Sequence, residues 1–216
     1  FLIGGHRYVF KEPNGSREQQ IWSEALAYEV ARTLGVPVPA AFIAYHNRDK
    51  SCGILIEFFY GHQWDQPKRF VHAIELFQGR GIAVDTHCGS LRDNIRLSRT
   101  YSVPNWKDWW GRPIVFDALI GNTDRHSENW GFLVDQTDPA VAKYALAPVF
   151  DNGTSLGFIV RDADLARQIE PKRLSQFIAR GRHHFGWLSG GVDSSQHVAL
   201  CRQFTEVYGA SSAAMR

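Results

Sequence analysis

The run Gly121-Asn122-Thr123-Asp124-Arg125-His126-Ser127-Glu128-Asn129-Trp130 (GNTDRHSENW) decides the fold. It is polar, but its flanks are apolar. Asp108 to Ile120 reads as a helix closed by Gly121, and Trp130 to Val134 as a short strand. A second strand, Lys143 to Ala147, follows across a polar hairpin loop. Next comes Val149-Phe150-Asp151-Asn152-Gly153, a turn signal that places Asp151 22 residues after Asn129. Asp124 stands five residues before Asn129. Gly153 fits a point where the backbone turns sharply.

Upstream lies a strand–helix–strand–strand block. Arg7 to Lys11 (RYVFK) reads as a strand stopped by Pro13, and Asn14-Gly15-Ser16 as a turn. The spacing of Ile21, Ala25, Tyr28, Ala31 and Leu34 predicts a helix from Glu18 to Leu34, ended by Gly35 and Pro37. Strands from Ala40 to Tyr45 and Cys52 to Phe59 complete the block. Beyond Pro67 the pattern turns mostly helical: Phe70 to Gln78, Asp85 to Leu97, then Lys172 to Ala179 and Ser194 to Tyr208. The expected fold is α+β and two-lobed: a small mixed N-lobe, residues 1–62, and a larger, mostly helical C-lobe, residues 63–216. No internal repeat or low-complexity tract is present.

Phosphoryl transfer accounts for this order of residues. It needs an acidic group to orient the attacking hydroxyl and accept its proton. It also needs oxygen ligands for the magnesium ions that bridge the nucleotide phosphates. In protein kinases an Asn follows the base Asp by five residues, and a second Asp comes after a short hairpin. Lys11, at a strand end, suits a phosphate-pairing lysine, and Glu24, 13 residues on, suits its partner on the next helix. The backbone around Glu57 to Phe59 suits an adenine edge. Taken singly, each residue has a plainer reading. Asx residues populate turns, Lys11 and Glu24 could be solvated, Glu29 competes with Glu24, and Glu57 and Phe59 could serve strand packing. Spacing, order and flanking strands together favour the site.

These residues resemble the HipA-like kinases, bacterial serine/threonine kinases of toxin–antitoxin modules. The similar segments are RYVFKEP around Lys11, SEALAYEVARTLGVPVPAAFIA from Ser23, LIEFF from Leu55, IVFDALIGNTDRHSENWGFLV from Ile114, and LAPVFDNGTSLG from Leu146. A looser form is shared with the type II phosphatidylinositol 4-kinases. The resemblance implies a protein-kinase-like fold using ATP and magnesium. It implies Asp124 as catalytic Asp, His126 bracing its loop, and Asn129 and Asp151 on magnesium. It implies Lys11 on phosphate, Glu24 positioning Lys11, and Glu57 and Phe59 bordering adenine. The implied substrate is a protein, a translation factor or an aminoacyl-tRNA synthetase by family analogy, and an antitoxin is an implied partner. Gly4-Gly5 is a poor remnant of the family's phosphate-covering loop. A separate N-terminal subunit could supply that loop, since the chain begins at Phe1 and not Met. A lipid or small-molecule kinase, and a non-catalytic or split kinase subunit, stay open as alternatives.

Composition narrows the classes. The 216 residues carry 24 Lys plus Arg against 22 Asp plus Glu, a net charge of +2. That balance argues against binding driven by general attraction to nucleic acid or anionic membrane. Three dispersed cysteines make no disulfide framework, which fits a reducing, cytoplasmic setting. No apolar run approaches the roughly 18 residues of a membrane span. The run Ser189-Gly190-Gly191-Val192-Asp193-Ser194 matches the phosphate loop of ATP pyrophosphatases. Only 22 residues follow it, too few for that sheet, so it reads as a glycine turn with Asp193 or Ser194 capping the last helix. His197 with Cys201, and His87 with Cys88, match no common zinc spacing and read as core. Trp106, Trp109 and Trp110 read as packing, with a peptide-docking surface the lesser alternative.

Overall fold

The computed structural model describes residues 1–13, 15, 18–62, 68–82, 90–138, 140–188 and 193–209. Strands β1 (Leu2–Ile3), β2 (His6–Lys11), β3 (Ala41–His46) and β4 (Ser51–Glu57) form an antiparallel sheet in the order β1-β2-β4-β3. Gly4 and Gly5, with φ of 57° and 86°, make a two-residue hairpin turn between β1 and β2. They are a turn, not the stub of a longer loop.

Lys11 lies directly opposite Ile54 in the β2–β4 ladder. Opposed residues share a sheet face. Ile54 is buried with Ile21 of helix α1 (Gln19–Leu34), so Lys11 projects toward α1. That helix buries Ile21, Ser23, Glu24, Ala27 and Ala31, and Gly35 in the left-handed region ends it. Leu34, expected on the inner face, is exposed.

A second antiparallel sheet joins β5 (Lys68–His72), β6 (Gly131–Asp135) and β7 (Lys143–Leu146), in the order β5-β6-β7. Here the helix expected from Phe70 to Gln78 is corrected. Its first residues are strand, and only α2 (Ala73–Gly79) is helical. The cause is tertiary: Phe70 and His72 face a ring cluster while Val71 is buried on the opposite side.

Helices α3 (Leu91–Thr100), α4 (Trp106–Ile120), α5 (Asp162–Gln168), α6 (Pro171–Arg180) and α7 (His197–Tyr208) complete the described elements. The residues expected to begin α3 early, 85–89, lie outside the described residues, as do His87 and Cys88. So do 189–192 of the glycine run. The cap of α7 is Gln196, whose side chain donates to Ala179 O and makes no capping bond, so neither Asp193 nor Ser194 caps it. Ser194 Oγ instead accepts from Arg182 at 2.8 Å.

The largest core sits between α3, α4, α7 and the second sheet. Trp110 is fully buried there, edge-on to Trp130 at 4.7 Å, and donates to Ser98 Oγ at 3.0 Å. Such ring pairs add about 0.5–1.5 kcal/mol beyond burial. A smaller core of Ala27, Ala31, Phe116, Ile120 and Val149 ties α1 to α4 and to the chain entering Asp151. Among the described residues no helix is long and apolar enough to cross a membrane.

Candidate active site

Arg125 is the hub of the polar loop. It is 1% exposed and faces Asp117, on the last turn of α4, with two bonds of 3.1 and 2.8 Å. It also donates to Asn129 O at 3.1 Å, to Phe150 O, and to Asn152 Oδ1 at 2.6 Å. Burial works against its charge, but Asp117, with Asp151 and Glu24 added, outweighs burial, and the pKa is raised. One planar guanidinium thus fixes the end of α4, the loop and the Asp151 turn against one another. Asn122 adds to the frame: it donates to Asp117 Oδ1 at 3.0 Å and accepts from the Asp124 N–H at 3.1 Å and Thr154 Oγ at 2.9 Å.

On this frame Asp124 points outward, half-exposed. The Asn129 side chain donates to the Asp124 carbonyl at 2.7 Å. That bond uses the amide nitrogen of this 5% exposed residue and leaves its amide oxygen, a hard donor of the kind a magnesium ion accepts. His126 Nδ1 accepts from the Glu128 N–H at 3.3 Å, which puts the ring proton on Nε2, 3.8 Å from Asp124 Oδ1. His184, whose ring lies edge-on to His126 at 5.5 Å, approaches the same oxygen at 4.0 Å. The missed strand β5 has a role here. The Ala73 and Ile74 N–H groups, at the start of α2, bond the Trp130 and Ser127 carbonyls, and His72 Nδ1 bonds the Glu128 carbonyl.

Asp151 takes the left-handed backbone conformation, φ 58°. The sharp turn falls on this residue and not on Gly153. Gly153 serves close approach instead: a Cβ there would lie 3.3 Å from the Gln20 carbonyl and 3.4 Å from Glu24 Oε2. Lys11 Nζ lies 3.5 Å from Asp151 Oδ1. Glu24 stands behind them, 4% exposed, bonded by the Asn152 N–H. Burial pushes its carboxyl up to about 7, and the Asp151 charge adds to this, while Lys11, Asn152 and Arg125 pull the other way. Among the described residues no ion pair within 4 Å joins Lys11 to Glu24, and the lysine is paired with Asp151.

Lys11, Glu24, Asp151, Gly153 and Ile54 line one cleft. Glu57 and Phe59 line a different one, with Tyr28, Val38 and Pro148. Glu57 pairs with His6, and its N–H is bonded by Ala40 O at 2.8 Å. Phe59 stacks on Phe150 at 5.4 Å, so it bears on the Asp151 turn through that ring. Asp117, Asn122, Arg125, Asn152 and His184 were not singled out in the sequence. The available signal was Asp117, a lone charge in the apolar turn Ile114 to Ile120.

Among the described residues, the one group of three side chains close enough to share a metal ion is Glu12, His46 and Asp49, on the surface. His197 and Cys201 are not in it. Cys201 donates to Ile114 O, and His197 packs edge-on to His183 at 4.3 Å.

Residues 3–208 match the HipA-like C-terminal domain. The chain belongs to that family. The serine/threonine-protein kinase CtkA of Helicobacter pylori strain J99 is 26% identical over 136 residues, 62% of this chain and 40% of that protein. The crystal structure of a Helicobacter pylori proinflammatory kinase CtkA matches with a TM-score of 0.71 and 21% identity, over 86% of this chain and 65% of that one. The fold is therefore kinase-like. A complex of the Shewanella oneidensis MR-1 toxin–antitoxin proteins HipA and HipB with operator DNA matches at 15% identity and a TM-score of 0.41, over 94% of this chain and 56% of that one. The chain spans about two fifths of the curated relative's length.

Proposed function

We infer that the protein is a kinase that moves the γ-phosphoryl group of ATP to a Ser or Thr hydroxyl of a protein. Residues 1–62 form the small lobe and 63–216 the large one, with the nucleotide between them. The observation that carries this reading is the convergence on Arg125. It places the Asp124 loop and the Asp151 turn on one frame, with Lys11 3.5 Å from Asp151.

Asp124 orients the acceptor hydroxyl and takes its proton as the oxygen attacks phosphorus. His126 braces the loop that carries Asp124, through the Glu128 N–H. Lys11 neutralises the α- and β-phosphates. Glu24, buried behind, takes over the lysine's charge when phosphate draws Lys11 from Asp151. The amide oxygen of Asn129 and the carboxylate of Asp151 suit magnesium, which when bound would neutralise charge on the β- and γ-phosphates. Glu57 and Phe59 border the adenine from the inter-lobe connection.

The test is transfer from γ-labelled ATP with magnesium, followed by phosphoamino-acid analysis. Label is expected on Ser or Thr, and Asp124→Asn should lower the rate about 10²–10⁴-fold. Near-wild-type transfer by Asp124→Asn would sink the assignment.

A further inference from the structure

Helices α5 and α6 form a two-helix arm that follows the Asp151 turn. From Arg161 to Arg180 no residue is buried, and only Asp164 and Gln168 reach even intermediate burial. The arm is nevertheless amphipathic. Leu174, Phe177 and Ile178 recur at i, i+3, i+4 on α6, and Leu165 of α5 and Ile169, its C-cap, at i, i+4. Ile169 and Ile178 are 61% and 59% exposed. Helices of seven and ten residues are marginal in water without a covered face. Such an apolar stripe calls for a partner.

Charge says which partner. Residues 161–180 hold five Lys or Arg against three Asp or Glu, a net +2, as much as the whole chain carries. The three acids are already engaged. Asp164 lies between Arg161 and Arg167 at 2.9 and 3.6 Å, Glu170 faces Arg173 at 3.6 Å, and Asp162 accepts from Gln19 at 3.2 Å. By helical period Arg173 and Arg180 border the apolar stripe of α6 on one side. A protein segment suits this surface if it is itself amphipathic, with apolar residues flanked by carboxylates.

We propose that the α5–α6 arm is a docking surface for an acidic amphipathic helix of a protein partner. The arm stands at the rim of the cleft. Asp162 bonds Gln19, the first residue of α1, and the adjacent Gln20 lines the cleft with Lys11. Docking is independent of phosphoryl transfer; only a partner that also carries the acceptor hydroxyl would rest on that reading.

The probe is a fluorescein-labelled helical peptide with Leu and Phe at i, i+3, i+4, i+7 and Glu beside them, titrated without nucleotide. Its anisotropy should rise on binding, and affinity should fall as salt is raised. Arg173→Glu with Arg180→Glu should weaken binding about tenfold or more, with circular dichroism and melting unchanged. A peptide with Lys for Glu should regain affinity for that double variant. Phe177→Asp should abolish binding of either peptide. Equal binding of the Glu and Lys peptides to the wild type, or no loss in the double variant, overturns the proposal. So does uptake by phosphatidylserine vesicles with no peptide binding, which would make the arm a membrane-surface element. So does a dimer in sedimentation that Phe177→Asp dissolves, which would make the occupant a second copy.

Discussion

A buried arginine can be either a stabiliser or a liability, and at Arg125 the balance turns on Asp117. Both are 1% exposed, and each is satisfied only by the other and by neighbouring polar groups. Removing one side strands the other. Arg125→Leu should therefore cost about 3–5 kcal/mol by chemical denaturation. The double change Asp117→Leu, Arg125→Leu should recover part of that, because no unpaired charge remains. A single-variant loss under about 1 kcal/mol would contradict this account. Arg125→Lys should also fail, since an ammonium cannot reach Asp117, Asn129 O and Asn152 at once. The residue scale also shows what spacing could not reveal. Asp124, Asn129 and Asp151 stand out in the sequence because their interval is characteristic. Arg125 sits between them unnoticed, because its partners are eight residues behind and 27 ahead.

At the scale of elements, helices with regular apolar spacing were legible within a few residues: α1 expected from Glu18 and found from Gln19, α4 expected from Asp108 and found from Trp106. The hairpin of β6 and β7 was legible too, because its two strands are neighbours in sequence. Strand β5 was not. Five residues cannot establish a period, and its partner β6 lies some sixty residues on. Helix α5 was missed for the same reason: its seven residues are too few to establish a helical period. Yet β5 holds the Asp124 loop from behind, and one glycine sets how closely. A Cβ at Gly131 would stand 2.3 Å from the Val71 carbonyl. Gly131→Ala must therefore push β5 from β6. The expected loss is about 1–3 kcal/mol, with amide exchange accelerating in β5 before it does in α4. Unchanged protection of the β5 amides would show that the sheet absorbs a methyl group without moving. Because Asn129 lies two residues upstream, phosphoryl transfer should fall along with stability.

Over the whole molecule, two buried titrating sites make opposite demands on pH. Glu24 clamps α1 to the Asp151 turn, and burial raises its carboxyl from 4.5 to about 7. In that interval the folded state holds a proton that the unfolded chain has released, so this group's contribution to stability is lost as pH rises from about 4.5 to 7. His183 lies beyond the other side of α4, stacked on Phe185 at 5.8 Å and facing His197, Asp117 and Arg125. Burial lowers its pKa from 6.5 to about 3, and His197 is lowered in the same direction. Here the unfolded chain holds the proton, so stability is full above 6.5 and is lost as pH falls toward 3. Between about 4.5 and 6.5 the Glu24 and His183 effects oppose each other. A broad stability plateau should result, with His197 tilting it downward on the acid side. The two variants should break the plateau in opposite ways. Glu24→Gln should remove the gain on acidification, so that denaturation midpoints fall steadily below about pH 6.5. His183→Phe, which keeps a ring against Phe185, should do the reverse: below pH 6.5 it should lose less stability on acidification than wild type, because His197 alone then opposes Glu24. Each unbalanced proton is worth about 1.4 kcal/mol per pH unit, a slope that midpoints measured from about pH 4 to 8 resolve readily. Parallel curves for wild type and both variants would mean that neither site holds its proton as its surroundings dictate. Glu24→Gln should also separate stability from function: more stable than wild type near pH 8, yet slower in transfer, because a neutral amide cannot take the charge of Lys11 once phosphate has drawn it from Asp151.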